Sequence, residues 1–166
     1  KSLTLLITLI LIVALGVAQN AEIENVESTI SQPTLIEKVA ADPDKHIIPY
    51  EKWKLPNGLT VIIHEDHSDP IAIVSVSYHV GSARETPGKS GFAHFFEHMM
   101  FQGSDNVREE DHFRIVGKGG GGNNAFTTND FTFYYESVPN SVVETCLWLE
   151  ADRMGFLHDA VTTKGF

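Results

Sequence analysis

Cysteine is almost missing from this chain: Cys146 stands alone among 166 residues. No intrachain disulfide can form, so the fold is not a stapled mini-protein and depends on an apolar core. Cys146 lies in SVVETCLWLEADRM, where apolar residues recur at helical spacing, and reads as a buried small hydrophobe and not as a nucleophile. Basic residues are also scarce, with 12 Lys and Arg against 22 Asp and Glu and a formal net charge of −10. Nucleic acid needs a basic face and none is visible, so it is excluded as a partner. Gly119 to Gly122 are followed by no Gly-Lys-Ser/Thr and preceded by no buried strand. That excludes a phosphate-cradling loop and leaves a flexible turn into the next strand.

One long apolar run is present, at the start. KSLTLLITLILIVALGVAQNAE has a basic first residue, an apolar run from Leu3 to Val17 softened only by Thr4 and Thr8, and then small residues. This is the layout of a secretory signal peptide. The run is short of the roughly 20 residues that span a bilayer, which argues against an uncleaved anchor. Gly16 and Ala18 occupy the small-residue positions of a cleavage site, so residues 1–18 are expected to be removed, with Ala21 as a second cleavage point. No Cys follows the run, which argues against a lipid anchor. The expectation is an exported protein, periplasmic or secreted, touching the membrane only through this segment.

The composition, 42% hydrophobic and 20% charged, suits one ordinary globular domain. The chain starts at Lys1 and stops at Phe166 directly after a helical run, and it reads as a fragment. Residues 19–46 are polar and acidic, with Pro33 and Pro43 and a short helical pattern in TLIEKVAADP, and read as a leader. Residues 47–166 read as the domain, incomplete. KWKLPNGLTVIIHED predicts a β-hairpin turning at Pro56-Asn57-Gly58. PIAIVSVSYHVGSARE alternates and predicts a half-buried strand. A loop at Thr86 to Gly91 leads into the helix carrying HFFEH. REEDHFRIVGK predicts a second helix with Glu109 to Asp111 in its first turn, where the helix dipole favours negative charge. Asn124 to Glu136 predicts a strand rich in Thr, Phe and Tyr, and Val142 to Leu157 a final helix. This mixed order with an antiparallel hairpin predicts an α+β fold.

The chemistry concentrates in GFAHFFEHMMFQG. On a helix, residues four apart are rotated by roughly 400°, about 40° from eclipsed, so His94 and His98 project from one face one turn apart. Two imidazole nitrogens can then reach one ion, and zinc accepts neutral His nitrogen while keeping an open position in catalytic sites. Glu97 stands beside this pair without having to be a ligand, where a general base for a metal-activated water belongs. Phe92, Phe95, Phe96, Met99, Met100 and Phe101 make the surroundings apolar, and three ionisable groups placed there without a partner would be costly. A metal supplies the partner. The remaining histidines, His46, His64, His67, His79, His112 and His158, read as satisfied core residues.

His-x-x-Glu-His inverts the His-Glu-x-x-His zinc motif. With LPNGLTVIIHED, YHVGSARETPGKSGFAHFFEHMMFQGS, GGNNAFTTNDFTFYYESVP and LWLEADRMGF in order, the chain resembles the pitrilysin and insulin-degrading-enzyme family of zinc metallopeptidases from about Tyr50 to Leu157. The resemblance implies an antiparallel-rich sheet with helices on one face, truncated at the C-terminus. It implies that His94 and His98 ligate Zn2+, and that Glu97 deprotonates the water and later protonates the leaving amine. A third ligand, a Glu about 75 residues beyond the second His, would fall past Phe166. Glu144 and Glu150 come too early, and Glu150 reads as supporting or structural. Asn124, Ala125 and Phe126 match the edge strand that pairs with an extended peptide substrate. A homologous second half-domain, on the same longer chain or a separate subunit, is the implied partner. The alternative is a non-catalytic homologue serving as a structural or partner subunit. The intact motif argues against it, and a storage-only metal site would have no need for Glu97.

Overall fold

The computed structural model describes residues 32–160, which fall into two compact units meeting in sequence at Pro70. The apolar run of residues 1–18, the cleavage points at Ala18 and Ala21, and most of the expected leader lie outside the described residues. Among the described residues no helix is long and apolar enough to cross a membrane.

In residues 32–69, strands β1 (Thr34–Val39), β2 (Tyr50–Lys54) and β3 (Thr60–Ile63) form an antiparallel sheet in that order. The expected hairpin is present. Gly58 takes φ 90°, the Leu55 N–H donates to the Leu59 carbonyl at 2.8 Å, and Asn57 Oδ1 accepts from the Leu59 N–H at 3.0 Å. Positive φ at the turn is where a side chain would be strained. TLIEKV, expected to be helical, is instead β1, paired with β2 from Thr34 opposite Lys54 to Val39 opposite Tyr50. A segment this short gains too few helical hydrogen bonds to overcome nucleation, whereas β2 offers it a ready ladder. Lys38 Nζ meets Glu51 Oε1 across the pair at 2.6 Å.

In residues 70–160, strands β4 (Ile71–Tyr78), β5 (Gly122–Thr127) and β6 (Thr132–Pro139) form an antiparallel sheet ordered β4-β6-β5. Helices α1 (Phe92–Met99), α2 (Asp111–Lys118) and α3 (Val143–Ala160) complete the unit. The single strand expected over Asn124 to Glu136 is two strands joined by a tight turn. The Thr128 N–H donates to the Phe131 carbonyl at 2.8 Å, and Thr128 Oγ1 accepts from the Asp130 and Phe131 N–H groups at 3.3 and 3.2 Å. Asn129 and Asp130 are turn formers that a composition rich in Thr and Phe obscures. Val74 and Val138 from the sheet, Val116 from α2, and Cys146 and Leu149 from α3 form the buried core, so the sheet carries its helices on one face. Ile71, Ile73 and Phe126 face away and are exposed. The α+β expectation holds, and Cys146 is buried as expected, with burial pushing its thiol up to about 11.

Two details of connection differ from expectation. Helix α2 begins at Asp111, leaving Glu110 as its cap at φ 63° and Glu109 outside, so only Asp111 of the acidic run enters the first turn. Gly119 to Gly122 is not a loose entry to β5. A Cβ on Gly121 would stand 2.5 Å from Val138 Cγ1 and 2.6 Å from the Ser137 carbonyl, so the backbone needs glycine there to lie against β6.

Candidate active site

Helix α1 starts where Gly91 adopts φ 94°, a conformation other residues resist. Its first N–H groups have no helical partner, and Glu85 supplies one: Oε2 accepts from the Gly91 N–H and Oε1 from the Ala93 N–H, each at 2.8 Å. Those two backbone bonds, Ala93 first, hold the Glu85 carboxyl below the usual glutamate range. No sequence signal short of the fold identifies a cap six residues ahead of Gly91.

Along α1 the predicted spacing becomes geometry. His94 Nε2 and His98 Nε2 lie 3.2 Å apart, with ring centroids 4.8 Å apart. Two nitrogens at 2.0 to 2.1 Å from a common tetrahedral centre stand about 3.3 Å apart, so this donor pair fits a zinc ion. Glu97, between them in sequence, is 7% exposed. Thr127 Oγ1 donates to its Oε2 at 2.5 Å. Both histidines are exposed, and Phe92, Phe95 and Phe96 are 50%, 48% and 50% exposed. The expected apolar enclosure of the motif is therefore absent around the imidazoles: α1 is covered along the Ala93 and Glu97 line alone. Burial cost constrains Glu97, while what favours a metal is the convergence of two nitrogens.

His94 and Glu97 line one wall of an open cleft of about 350 Å³, and Ala125 to Asn129 line the other. Strand β5 is at the edge of its sheet. The ladder starts with Thr128 bonded to Phe131, so antiparallel alternation pairs the backbones of Phe126 and Asn124 with β6 and turns those of Thr127 and Ala125 to the free edge. The Ala125 N–H accordingly finds no strand partner and donates to Asn124 Oδ1 at 2.9 Å. Of the three residues predicted to bind substrate, Ala125 presents its main chain to the edge, while Asn124 and Phe126 present side chains on the exposed face.

Of the histidines expected in the core, His46, His64, His67 and His79 are exposed, and His158 lies where no side chain is described. Each of the exposed four sits in a turn or loop or just past a strand end, where no packed layer covers it. Only His112 is buried, at 5% exposure. Its Nδ1 accepts from Asn123 Nδ2 at 3.1 Å, and among the described residues its Nε2 has no partner. Burial first, and then the Arg153 charge, push it down to about 4. His112, Glu136 and Glu150 form a second cluster, with candidate ligand atoms within 4.8 Å of one another. Arg153 is already there, in contact with Glu150 and 3.5 Å from Glu136. Burial, followed by the neighbouring Glu150 carboxyl, pushes Glu136 up to about 9. One proton on Glu136 thus makes the acid pair with Arg153 neutral, whereas a dication would leave a buried positive charge. Glu150 is buried in contact with Arg153, an arrangement that agrees with a structural part for it. Periodicity puts Thr132, Tyr134, Glu136 and Val138 on one face of β6 and Cys146, Leu149, Glu150 and Arg153 on one face of α3, but only the packing of α3 on the sheet brings the two faces together.

Asp152, also buried, accepts from Ser104 Oγ and from Asn106 Nδ2, the latter at 2.7 Å, and ties the loop after α1 to α3. Among the described residues no third donor joins His94 and His98.

Comparison with known proteins finds a match over residues 60–156 to the family described as insulinase, peptidase family M16. A relative named zinc protease PqqE, from Helicobacter pylori, is 36% identical over 110 residues, covering 66% of this chain and 25% of that protein. The insulin-degrading enzyme of Mus musculus is 29% identical over 123 residues, covering 72% of this chain and 12% of that protein. The crystal structure of pitrilysin superposes with a TM-score of 0.66 at 25% identity, covering 74% of this chain and 13% of pitrilysin. The chain thus spans a quarter or less of the length of these relatives.

Proposed function

The chain belongs to the insulinase family, peptidase family M16, and on that premise we propose that it is the N-terminal part of a zinc endopeptidase that hydrolyses extended peptides or unfolded proteins. The carrying observation is the pair of imidazole nitrogens 3.2 Å apart beside a buried carboxylate. Zinc held by His94, His98 and a ligand from outside the described residues would activate a water and polarise the scissile carbonyl. Glu97 takes the water's proton and returns it to the leaving amine. The free edge of β5 takes the substrate as an added strand: the Ala125 main chain pairs with the peptide, the Asn124 amide gives up its hold on the Ala125 N–H, and Phe126 flanks alternate side chains. Main-chain pairing asks little of side-chain identity, so broad sequence tolerance follows. A homologous second half, on the same longer chain or on a separate subunit, would enclose the peptide. Export to the periplasm or medium is proposed with it, on the support of the Leu3 to Val17 pattern.

The test is Glu97→Gln in the full-length protein. Zinc content should stay stoichiometric while kcat falls about 10²- to 10⁴-fold, the range for losing a positioned acid or base. Unchanged turnover would overturn the role of Glu97. A full-length protein that retains no zinc at all would favour the non-catalytic partner subunit instead.

A further inference from the structure

Thr127 is the one residue that belongs both to the strand edge and to the base. It ends β5, opposite Thr132. By the alternation of the ladder its N–H and C=O point to the free edge, and its side chain points to the helix face. There its hydroxyl meets Glu97 Oε2 at 2.5 Å. The direction of that bond is fixed by its neighbours: Thr132 Oγ1 donates to the Val80 carbonyl at 2.9 Å and stands 3.3 Å from Thr127 Oγ1. The Thr132 proton is committed to the Val80 carbonyl, so the single Thr127 proton goes to Glu97 Oε2. The contact is part-buried: Glu97 is buried and Thr127 half-buried at the end of β5. Among the described residues no other side chain bonds Glu97, so Oε1 is left for the water it deprotonates.

Resting on the peptidase reading above, we propose that Thr127 is a positioning residue for that reaction. It pins one oxygen of Glu97 so that the other is presented to the water. Because the same residue offers its main chain to the peptide, strand pairing at the edge holds the base in place. Substrate contact at the edge therefore contributes to kcat and not only to binding.

The experiment uses the full-length, zinc-loaded protein with Thr127→Val and Thr127→Ser. Valine keeps the shape and the strand preference while deleting the hydroxyl. Thr127→Val should lower kcat about 10- to 100-fold, the scale of a displaced catalytic group, with KM within about twofold. Zinc stoichiometry should be unchanged, and Thr127→Ser should recover most of the rate. In the metal-free protein, Thr127→Val and Glu97→Gln combined should shift Tm by less than the sum of the single shifts, because both delete one hydrogen bond. The inference is overturned by an unchanged kcat in Thr127→Val, by a change confined to KM, by a serine variant as slow as the valine one, or by additive Tm shifts. If Glu97→Gln is inactive while Thr127→Val is not impaired, this inference alone fails. If the wild-type protein cleaves no peptide, the peptidase reading fails and takes this inference with it.

Discussion

Arg153 is 3% exposed, so no water solvates its guanidinium. Its charge is met by Glu150 and Glu136 and by the rings of Tyr134 and Phe101, whose centroids lie 4.4 and 5.0 Å from Cζ. Replacing it with methionine keeps much of the volume and leaves two buried acids without their cation. Arg153→Met should therefore lower unfolding free energy by about 3–5 kcal/mol, as breaking a buried pair does. Adding Glu150→Gln to it should recover part of that loss, because Glu150 is the acid that Arg153 neutralises. Chemical denaturation of wild type and the two variants checks this, and a single-variant loss below about 1 kcal/mol would mean that water reaches the cluster. At this scale the sequence was informative in places. The spacing of His94, Glu97 and His98 is a local property of one helix and survives folding unchanged. The fate of the other histidines is not local, since a single turn or a single packed helix decides between His64, exposed, and His112, buried.

At the level of elements, the proposed peptide pairing rests on the free edge of β5. Proline lacks the N–H that an added strand would use, and an edge position whose N–H points outward tolerates it. Ala125→Pro should leave Tm within a few degrees of wild type, since the Ala125 N–H bonds only the Asn124 side chain, while kcat/KM for an unstructured peptide falls at least tenfold. Melting curves and steady-state kinetics on the same preparation test both halves, and retained activity would show that peptide enters elsewhere. Two misread elements share a cause. TLIEKV becomes strand β1 because β2 lies beside it, and residues 124–136 split into β5 and β6 because Thr128 closes a turn. Propensity is weak over six residues, and a partner strand outweighs it.

For the molecule as a whole, the buried cluster couples stability to pH. Folding raises Glu136 from its ordinary 4.5 to about 9, so the folded state keeps a proton that the unfolded chain releases. Its contribution is fully present below about pH 4.5 and is lost as pH rises toward 9. Folding lowers His112 from 6.5 to about 4, so its contribution is present above 6.5 and is lost as pH falls toward 4. Between 4.5 and 6.5 the two slopes oppose each other, and above 6.5 Glu136 acts alone. Thermal melts should show Tm falling from pH 6.5 to 9, and Glu136→Gln should flatten that limb. A variant whose Tm falls as steeply as wild type would show that Glu136 is ionised in the fold.

The spacing of His94, Glu97 and His98, the Asn57-Gly58 hairpin and the α+β class were determined by the sequence alone, because each rests on periodicity or turn chemistry within a few residues. Tertiary structure decided that Thr127 reaches Glu97 across 30 residues, that Glu85 caps α1, and that a His, two Glu and an Arg share a dry interior. These contacts join side chains far apart in sequence, and only the packing of helices on the sheet, which excludes water between them, brings them within hydrogen-bond and ion-pair range.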